Sequence, residues 1–311
     1  MNTDRLRIVL LGPTASGKST IAAQLANRLN GVVISADSRQ VYSEMKIGTA
    51  VPEPELLALA PHYNVQIISP REEENIQRFL DRVSGWENEI GKKKPIIYVG
   101  GSTLYLQALL FGIDKTPTSN QENLNALKNE AKTKGIEFLF EKLKKVDPIY
   151  AGKMDGFNTQ RIIRALDVYI QTGQPYSSFH NQTDYTKAPD GFVVYGLNWP
   201  REKLYERINL RVDEMLKAGL TDEVISLLKK YDASVQSLQT VGYKEPIAYL
   251  NGKFSIQEMT EEIKKNTRRY AKRQLTWFRR WPFIEWIDMG MNTPEEVIEL
   301  ISQKHKKVVS K

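Results

Sequence analysis

The 311-residue sequence predicts an α/β protein, a doubly wound parallel sheet with a helical insertion. Three observations predict it: short branched apolar runs closed by turn residues, helical patterns between them, and one long interruption of that alternation. Residues 7–12 (RIVLLG), 31–38 (GVVISADS), 94–102 (KPIIYVGGS) and 191–199 (GFVVYGLNW) read as strands buried on both faces, with 283–288 (FIEWID) as a fifth. Helical patterns at 18–29, 72–91 and 103–111 separate them, as parallel strands require. After Asp114 the turn-rich DKTPTSNQEN leads into helical patterns up to about Thr172, clearest at 137–146 and 159–173. A loop over 173–191 returns the chain to the sheet, and 201–280 reads as helical. The expected organisation is a core of residues 1–114 and 191–311, with a helical insertion of residues 115–190.

Composition narrows the function classes. Hydrophobic residues at 41% and charged residues at 26% suit a chain that buries a core. The absence of cysteine excludes a disulfide framework and Cys-based zinc sites, and three histidines cannot build a His-rich metal cluster. No apolar window approaches the ~20 residues that span a bilayer, so no membrane partner is expected and a cytoplasmic monomer is. The net charge of +7 matters only where it is clustered.

Residues 12–20, GPTASGKST, fit the spacing G-x-x-x-x-G-K-[ST] between a strand and a helix. Gly12, Pro13, Thr14, Ala15, Ser16, Gly17, Lys18, Ser19 and Thr20 therefore form a candidate phosphate cradle, and the core is expected to be P-loop NTPase-like. Glycines let backbone N–H groups approach phosphate oxygens at a helix N-terminus. Lys18 neutralises a terminal phosphate, and the Ser19 hydroxyl can bind Mg²⁺. Taken alone, such a loop signifies nucleotide binding, since ATP- and GTP-using kinases and hydrolases share it.

The second strand ends in ADSRQVY, which puts Asp37 and Gln40 near the loop. Asp37 is a candidate general base or indirect Mg²⁺ holder, or a cap for the following turn. The third strand ends in VGGS, without the metal-holding Asp of many P-loop hydrolases. Ser102 and Thr103 offer hydroxyls at the same rim. Between Lys264 and Arg280 lie eight basic residues and no acidic one. At ~100° per residue they fall on one half of a helix, opposite Ile263, Tyr270, Trp277 and Phe278. Arg268, Arg269 and Arg273 belong to this stripe, which suits a polyanion or is a solvated face. Arg207 and Arg211 are four apart beside the apolar stripe Leu204, Ile208, Val212 and Leu216. They can reach one diphosphate together, or serve as surface ion pairs.

With these residues in view, the chain resembles the tRNA dimethylallyltransferases (tRNA isopentenyltransferases). The segments GPTASGKST, ADSRQVYSEMKIGTA, VGGSTLY, NTQRIIRALDVYIQTG, ERINLRVDEMLKAGLTDEV, TVGYKEPIAYLNG and RRYAKRQLTWFRR occur in that family's order, nearly end to end. The resemblance implies transfer of a dimethylallyl group from dimethylallyl diphosphate to N6 of the adenosine 3′ of the tRNA anticodon, releasing diphosphate. It implies Asp37 as base and Gln40 as a reader of the adenine edge. Lys18, Mg²⁺ at Ser19, the Ser102 hydroxyl and Arg211 would stabilise the leaving diphosphate. By the same resemblance, contact with the anticodon stem-loop falls on Asp37, Ser38, Arg39 and Gln40. It continues on Gln160, Arg161, Ile162, Ile163 and Arg164, and on Thr240, Val241, Gly242, Tyr243, Lys244 and Glu245. The chain departs from the family in keeping a single His62 after Pro61, and in GGST where GGTG is commoner. It lacks the Cys/His extension of eukaryotic members, which implies a bacterial-type enzyme. The competing readings are an adenylate isopentenyltransferase acting on free nucleotide, and a P-loop small-molecule kinase.

Overall fold

A computed structural model describes residues 5–91, 94–180 and 183–309. Strand β1 (Arg7–Leu11) turns into α1 (Lys18–Arg28), which leads to β2 (Val32–Ser35). The chain continues through α2 (Pro54–Leu57), β3 (His62–Tyr63), α3 (Ile76–Ile90), β4 (Ile96–Gly100) and α4 (Thr103–Phe111). Next come α5 (Gln121–Lys134), α6 (Ile136–Val146), α7 (Pro148–Gly152), α8 (Thr159–Thr172) and a 3-10 turn at Tyr176–Phe179. Then follow β5 (Phe192–Asn198), α9 (Arg201–Lys217), α10 (Leu220–Leu228) and α11 (Lys244–Leu250), and after them α12 (Ile256–Phe278), β6 (Glu285–Asp288) and α13 (Pro294–Val309).

Among the described residues the strands form one parallel sheet in the order β3-β2-β4-β1-β5-β6. Alternation along β1 explains why all five of its residues are apolar or closely packed. Ile8 and Leu10 enter the core beneath α1 and α13, while Val9 and Leu11 enter the core beneath α3, α4 and the end of α12. Because β4 lies between β1 and β2, the chain crosses over β4 after leaving β1. The loop after β1 therefore opens at the C-terminal edge of the sheet, where open α/β sheets bind ligands. Helices α9 to α12 cover this edge. Val212, Leu220, Val224, Tyr243 and Ile263 pack on Val41, Tyr42 and Met45, and Ile208 and Ala271 pack on Ala15 of the loop.

The chain divides into a unit of residues 1–111 with 185–311, and a second unit of residues 112–184. The second unit has its own core, centred on Leu127, Leu139, Leu143, Ile162 and Leu166. Residues 181 and 182 of the return loop lie outside the described residues.

Two features, β3 and α13, go beyond the sequence expectation, and a third refines it. Strand β3 was not anticipated, because its two residues pair only through Val33–His62 and Ile34–Tyr63 and are too short to show a period. The span 201–280 is helical as expected and consists of four helices, broken by Gly219 in the left-handed region and by the turns after Leu228 and Leu250. Helix α13 was also unexpected; its Val297, Ile298 and Ile301 are buried with Ile21 and Leu25 of α1.

Candidate active site

The phosphate loop is built by backbone geometry before any side chain acts. Gly17 adopts φ +87°, a left-handed conformation that starts α1 with its N–H groups facing the loop. Ala15 is also left-handed at φ 63°, an unfavourable state for a residue with a Cβ that packing must hold in place. The holding contacts are present. The Trp199 indole N–H donates to Ser16 O at 3.1 Å, and Arg207 Nε donates to Ala15 O at 2.9 Å. The Arg207 guanidinium lies 4.5 Å from the centre of the Trp199 ring. This fixes a cation beside the loop at little entropic cost.

A pocket of about 420 Å³ opens over Gly17, Lys18, Ser19 and Thr20, with Arg207 and Arg211 on its other side. Burial lowers the Lys18 ammonium to about 8; the Asp37 carboxylate opposes this, and the Arg211 charge adds to it. Burial likewise lowers Arg211, which Asp37 again opposes. Lys18, Arg207 and Arg211 thus crowd positive charge around this pocket, with Glu53 and Glu214 on its rim, and an anion bound there relieves the crowding.

The second cavity, about 240 Å³, lies beyond Arg211. Asp37, Ser38, Arg39 and Tyr270 form its polar side, and Ile208, Val212, Met215 and Ile263 its apolar side. Arg211 borders both spaces, and its NH1 donates to Thr14 Oγ1 at 3.2 Å. Asp37 Oδ1 accepts from Arg39 N–H at 2.8 Å and Gln40 N–H at 3.4 Å, so this carboxylate does cap its turn while also lining the cavity. Burial and the nearby Asp37 carboxylate push the Tyr270 hydroxyl up to about 12, so it stays protonated at neutral pH.

Gln274 ties the two halves of this arrangement. It is 2% exposed; its Oε1 accepts from Thr14 N–H at 2.9 Å and its Nε2 donates to Gly101 O at 2.8 Å. A Cβ at Gly101 would strike the Gln274 amide, so any side chain there displaces this hydrogen-bonded group. Neither Gln274 nor Tyr270 stood out in the sequence as functional. The available signal was positional: Thr267 and Gln274 are polar residues interrupting the apolar stripe of α12, and such interruptions mark buried hydrogen bonding.

With the geometry in place, similarity to known proteins decides the family. The family model described as "IPP transferase" matches residues 40–281, and one described as "Isopentenyl transferase" matches residues 6–64. This chain belongs to the IPP transferase family. Its family relatives include tRNA dimethylallyltransferases of Acetivibrio thermocellus, 41% identical, and Caldanaerobacter subterraneus subsp. tengcongensis, 43% identical. Each match spans 94% of this chain and 95% of the relative. Among solved structures, the tRNA isopentenylpyrophosphate transferase of Bacillus halodurans superposes with a TM-score of 0.70 at 35% identity, covering 98% of both chains. A eukaryotic dimethylallyltransferase acting on tRNA superposes at 0.80 with 26% identity, covering 98% of this chain and 84% of that one.

The remaining family motifs sort themselves by burial. Ser102 is 8% exposed; it accepts from Ser38 N–H at 3.0 Å and donates to Ser38 Oγ at 3.2 Å, supporting the Asp37 turn rather than lining the phosphate pocket. Gln40 is also buried. Its Oε1 accepts from Ser35 Oγ at 3.2 Å, and its Nε2 donates to Ala50 O at 2.9 Å, so its amide serves its own loop in this structure. Ile162 and Ile163 belong to the core of the 112–184 unit, which closes their side chains to RNA. Arg164 Nη1 donates to Asp167 Oδ2 at 2.9 Å and to Ser119 Oγ at 3.1 Å, whereas Gln160 and Arg161 are exposed. Thr240, Val241 and Gly242 line the second cavity and Lys244 is exposed, but Tyr243 and Glu245 are buried supports. Carrying over a whole motif brings its core residues along with its contact residues.

The basic stripe divides in the same way. Lys264 is turned to Asp213 at 2.8 Å and Arg268 NH1 to Asn209 Oδ1 at 2.6 Å, both on α9. Arg269, Lys272 and Arg273 remain exposed, flanking a shallow groove with Trp277 and Arg280. No helix among the described residues is long and apolar enough to cross a membrane.

Proposed function

We propose that this chain transfers a dimethylallyl group from dimethylallyl diphosphate to N6 of the adenosine 3′-adjacent to the anticodon in tRNA, and releases diphosphate. The observation that supports it most is the position of Asp37, on the wall of a partly apolar cavity joined through Arg211 to the phosphate pocket. In this reading the diphosphate lies on residues 14–20 against Lys18, Arg207 and Arg211. The C1–O bond breaks and its electron pair leaves with the diphosphate. The N6 lone pair forms the new C1–N bond, and the N6 proton passes to the Asp37 carboxylate. Preorganised cations stabilise the departing charge without reorganisation. Tyr270, on the cavity wall and held protonated, has its hydroxyl beside Ser102 and does not compete as base. The acceptor base has to leave its stack to reach this cavity, at a cost of a few kcal/mol.

A divalent cation fits this site in one way. No cluster of three or more His, Cys, Asp or Glu side chains able to hold a metal occurs among the described residues. The Ser19 hydroxyl lines the phosphate pocket, with Glu53 and Glu214 nearby. This sparse donor set suits Mg²⁺, which keeps several waters and binds largely through substrate phosphates. When bound, Mg²⁺ would neutralise part of the diphosphate charge.

Two tests follow. The enzyme should prenylate an anticodon stem-loop without consuming ATP, and should leave AMP unmodified; phosphoryl transfer from ATP, or equal use of AMP, overturns the reading. Replacing Arg269, Lys272 and Arg273 together by Ala should weaken stem-loop binding and make the negative slope of log K against log[salt] less steep by about 2–3. Arg268→Ala should do less, because that side chain is spent on Asn209. An unchanged slope in the triple variant removes the stripe from the RNA surface.

A further inference from the structure

Residues 46–50 separate the two spaces of the site. Gly48 and Thr49 line the cavity that holds Asp37, and Ala50 lines the phosphate pocket. This segment has no regular secondary structure of its own. It is held from two sides. On one side Gln40 Nε2 donates to Ala50 O at 2.9 Å. On the other, a single carboxylate from α10 gathers three successive backbone N–H groups. Glu223 Oε2 accepts from Lys46 at 2.9 Å and Ile47 at 2.8 Å, and Oε1 accepts from Gly48 at 3.2 Å. Oε1 also accepts the Tyr243 hydroxyl at 2.7 Å. Consecutive N–H groups converging on one point form an anion-binding nest, and here the anion is the protein's own.

We propose that Glu223 is a positioning residue for the acceptor base: by filling this nest it fixes Gly48 and Thr49 as the wall facing Asp37. The proposal rests on the prenyl-transfer reading above. The wall sits close to its support, since a Cβ at Gly48 would run into the Tyr243 ring. Both carboxylate oxygens are needed, because each receives two donors. A glutamine in this place must turn its NH₂ toward one donor pair. The less costly choice faces Gly48 and Tyr243, since the phenol can turn and accept. That takes the carboxylate from the Gly48 N–H, on the residue that lines the cavity, and leaves it only the weaker Tyr243 hydroxyl oxygen as acceptor. A buried or partly buried amide stripped of its charged acceptor is held less firmly.

The test compares wild type, Glu223→Gln and Glu223→Ala by steady-state kinetics, diphosphate binding and amide hydrogen exchange. Both variants should lose about tenfold or more in kcat/KM for the stem-loop, with diphosphate affinity unchanged and exchange at residues 46–48 accelerated. Added formate, a small carboxylate that can refill the nest, should restore activity to Glu223→Ala and not to Glu223→Gln. Tyr243→Phe, which leaves both carboxylate oxygens on the three amides and removes only the hydroxyl beside Gly48 and Thr49, should lose less than either Glu223 variant. Wild-type acceptor kinetics in both variants, or equal losses for donor and acceptor, overturn the proposal; so does unchanged protection at 46–48. A wild-type enzyme that prenylates no RNA overturns the functional reading instead, and the exchange measurement still decides whether Glu223 holds the wall.

Discussion

Asp37→Asn is expected to lower the single-turnover rate of prenyl transfer by about 10²–10⁴-fold while leaving stem-loop affinity and melting temperature close to wild type. The choice of Asn follows from the geometry. Asp37 Oδ1 caps the Arg39 and Gln40 N–H groups, and the amide oxygen of Asn can do the same. What Asn cannot do is accept the N6 proton. Asp37→Ala removes both roles, so it should be equally slow and also less stable by about 0.5–1.5 kcal/mol, the usual net worth of a lost hydrogen bond. In the proposed reading RNA binding draws on the exposed Arg and Lys residues of α12, so it should survive either change. An Asn variant with near wild-type turnover would reduce Asp37 to a turn cap.

Lys18→Met is expected to cost about 10²–10³-fold in turnover, the scale set by removing one preorganised donor from a developing anion. Its pH behaviour separates an electrostatic role from a packing role. Desolvation in the loop pushes the half-buried Lys18 ammonium down from its usual 10.5 to about 8. Donor affinity in wild type should therefore fall as pH rises through about 8, and this step should be missing in Lys18→Met. Stability of the ligand-free protein should move the other way. Between about 8 and 10.5 the unfolded chain keeps the Lys18 proton and the folded chain has released it. The unfolded state then binds more protons, so folding stability rises with pH across that window. The wild-type-minus-Lys18→Met difference in unfolding free energy isolates this effect from other titrating groups. A difference that stays flat with pH, together with a pH-independent donor affinity, contradicts the assignment.

How much of this was legible in the sequence depends on what each residue answers to. The four long core strands announce themselves because a parallel strand is apolar on both faces, and β1 obeys that rule at every residue from Ile8 to Leu11. The phosphate loop is equally plain, because only a few residue types tolerate its backbone. Beyond these, what escaped the sequence is contact between distant segments. Glu223 reads as an ordinary acidic residue in the first turn of a helix, and nothing local says that it meets the amides of residues 46–48. Gln274 falls on the apolar stripe of α12, and nothing local says that its amide there meets Thr14 and Gly101. Arg268 and Arg269 are neighbours in sequence, and only α9 makes one of them a tie to Asn209 and leaves the other exposed. Family resemblance supplied the reaction but could not sort Ile162 from Arg161, because a motif records both the surface and the core beneath it.

The central claim is that the phosphate loop holds a leaving group whose carbon end goes to RNA. It is tested most directly by incubating the protein with dimethylallyl diphosphate, Mg²⁺ and unmodified tRNA, without ATP, and then measuring nucleosides by mass and diphosphate by assay. The account predicts one N6-dimethylallyl adenosine per tRNA, 3′-adjacent to the anticodon, with one diphosphate released for each. Unmodified nucleosides, or diphosphate released without a prenylated adenosine, would contradict it.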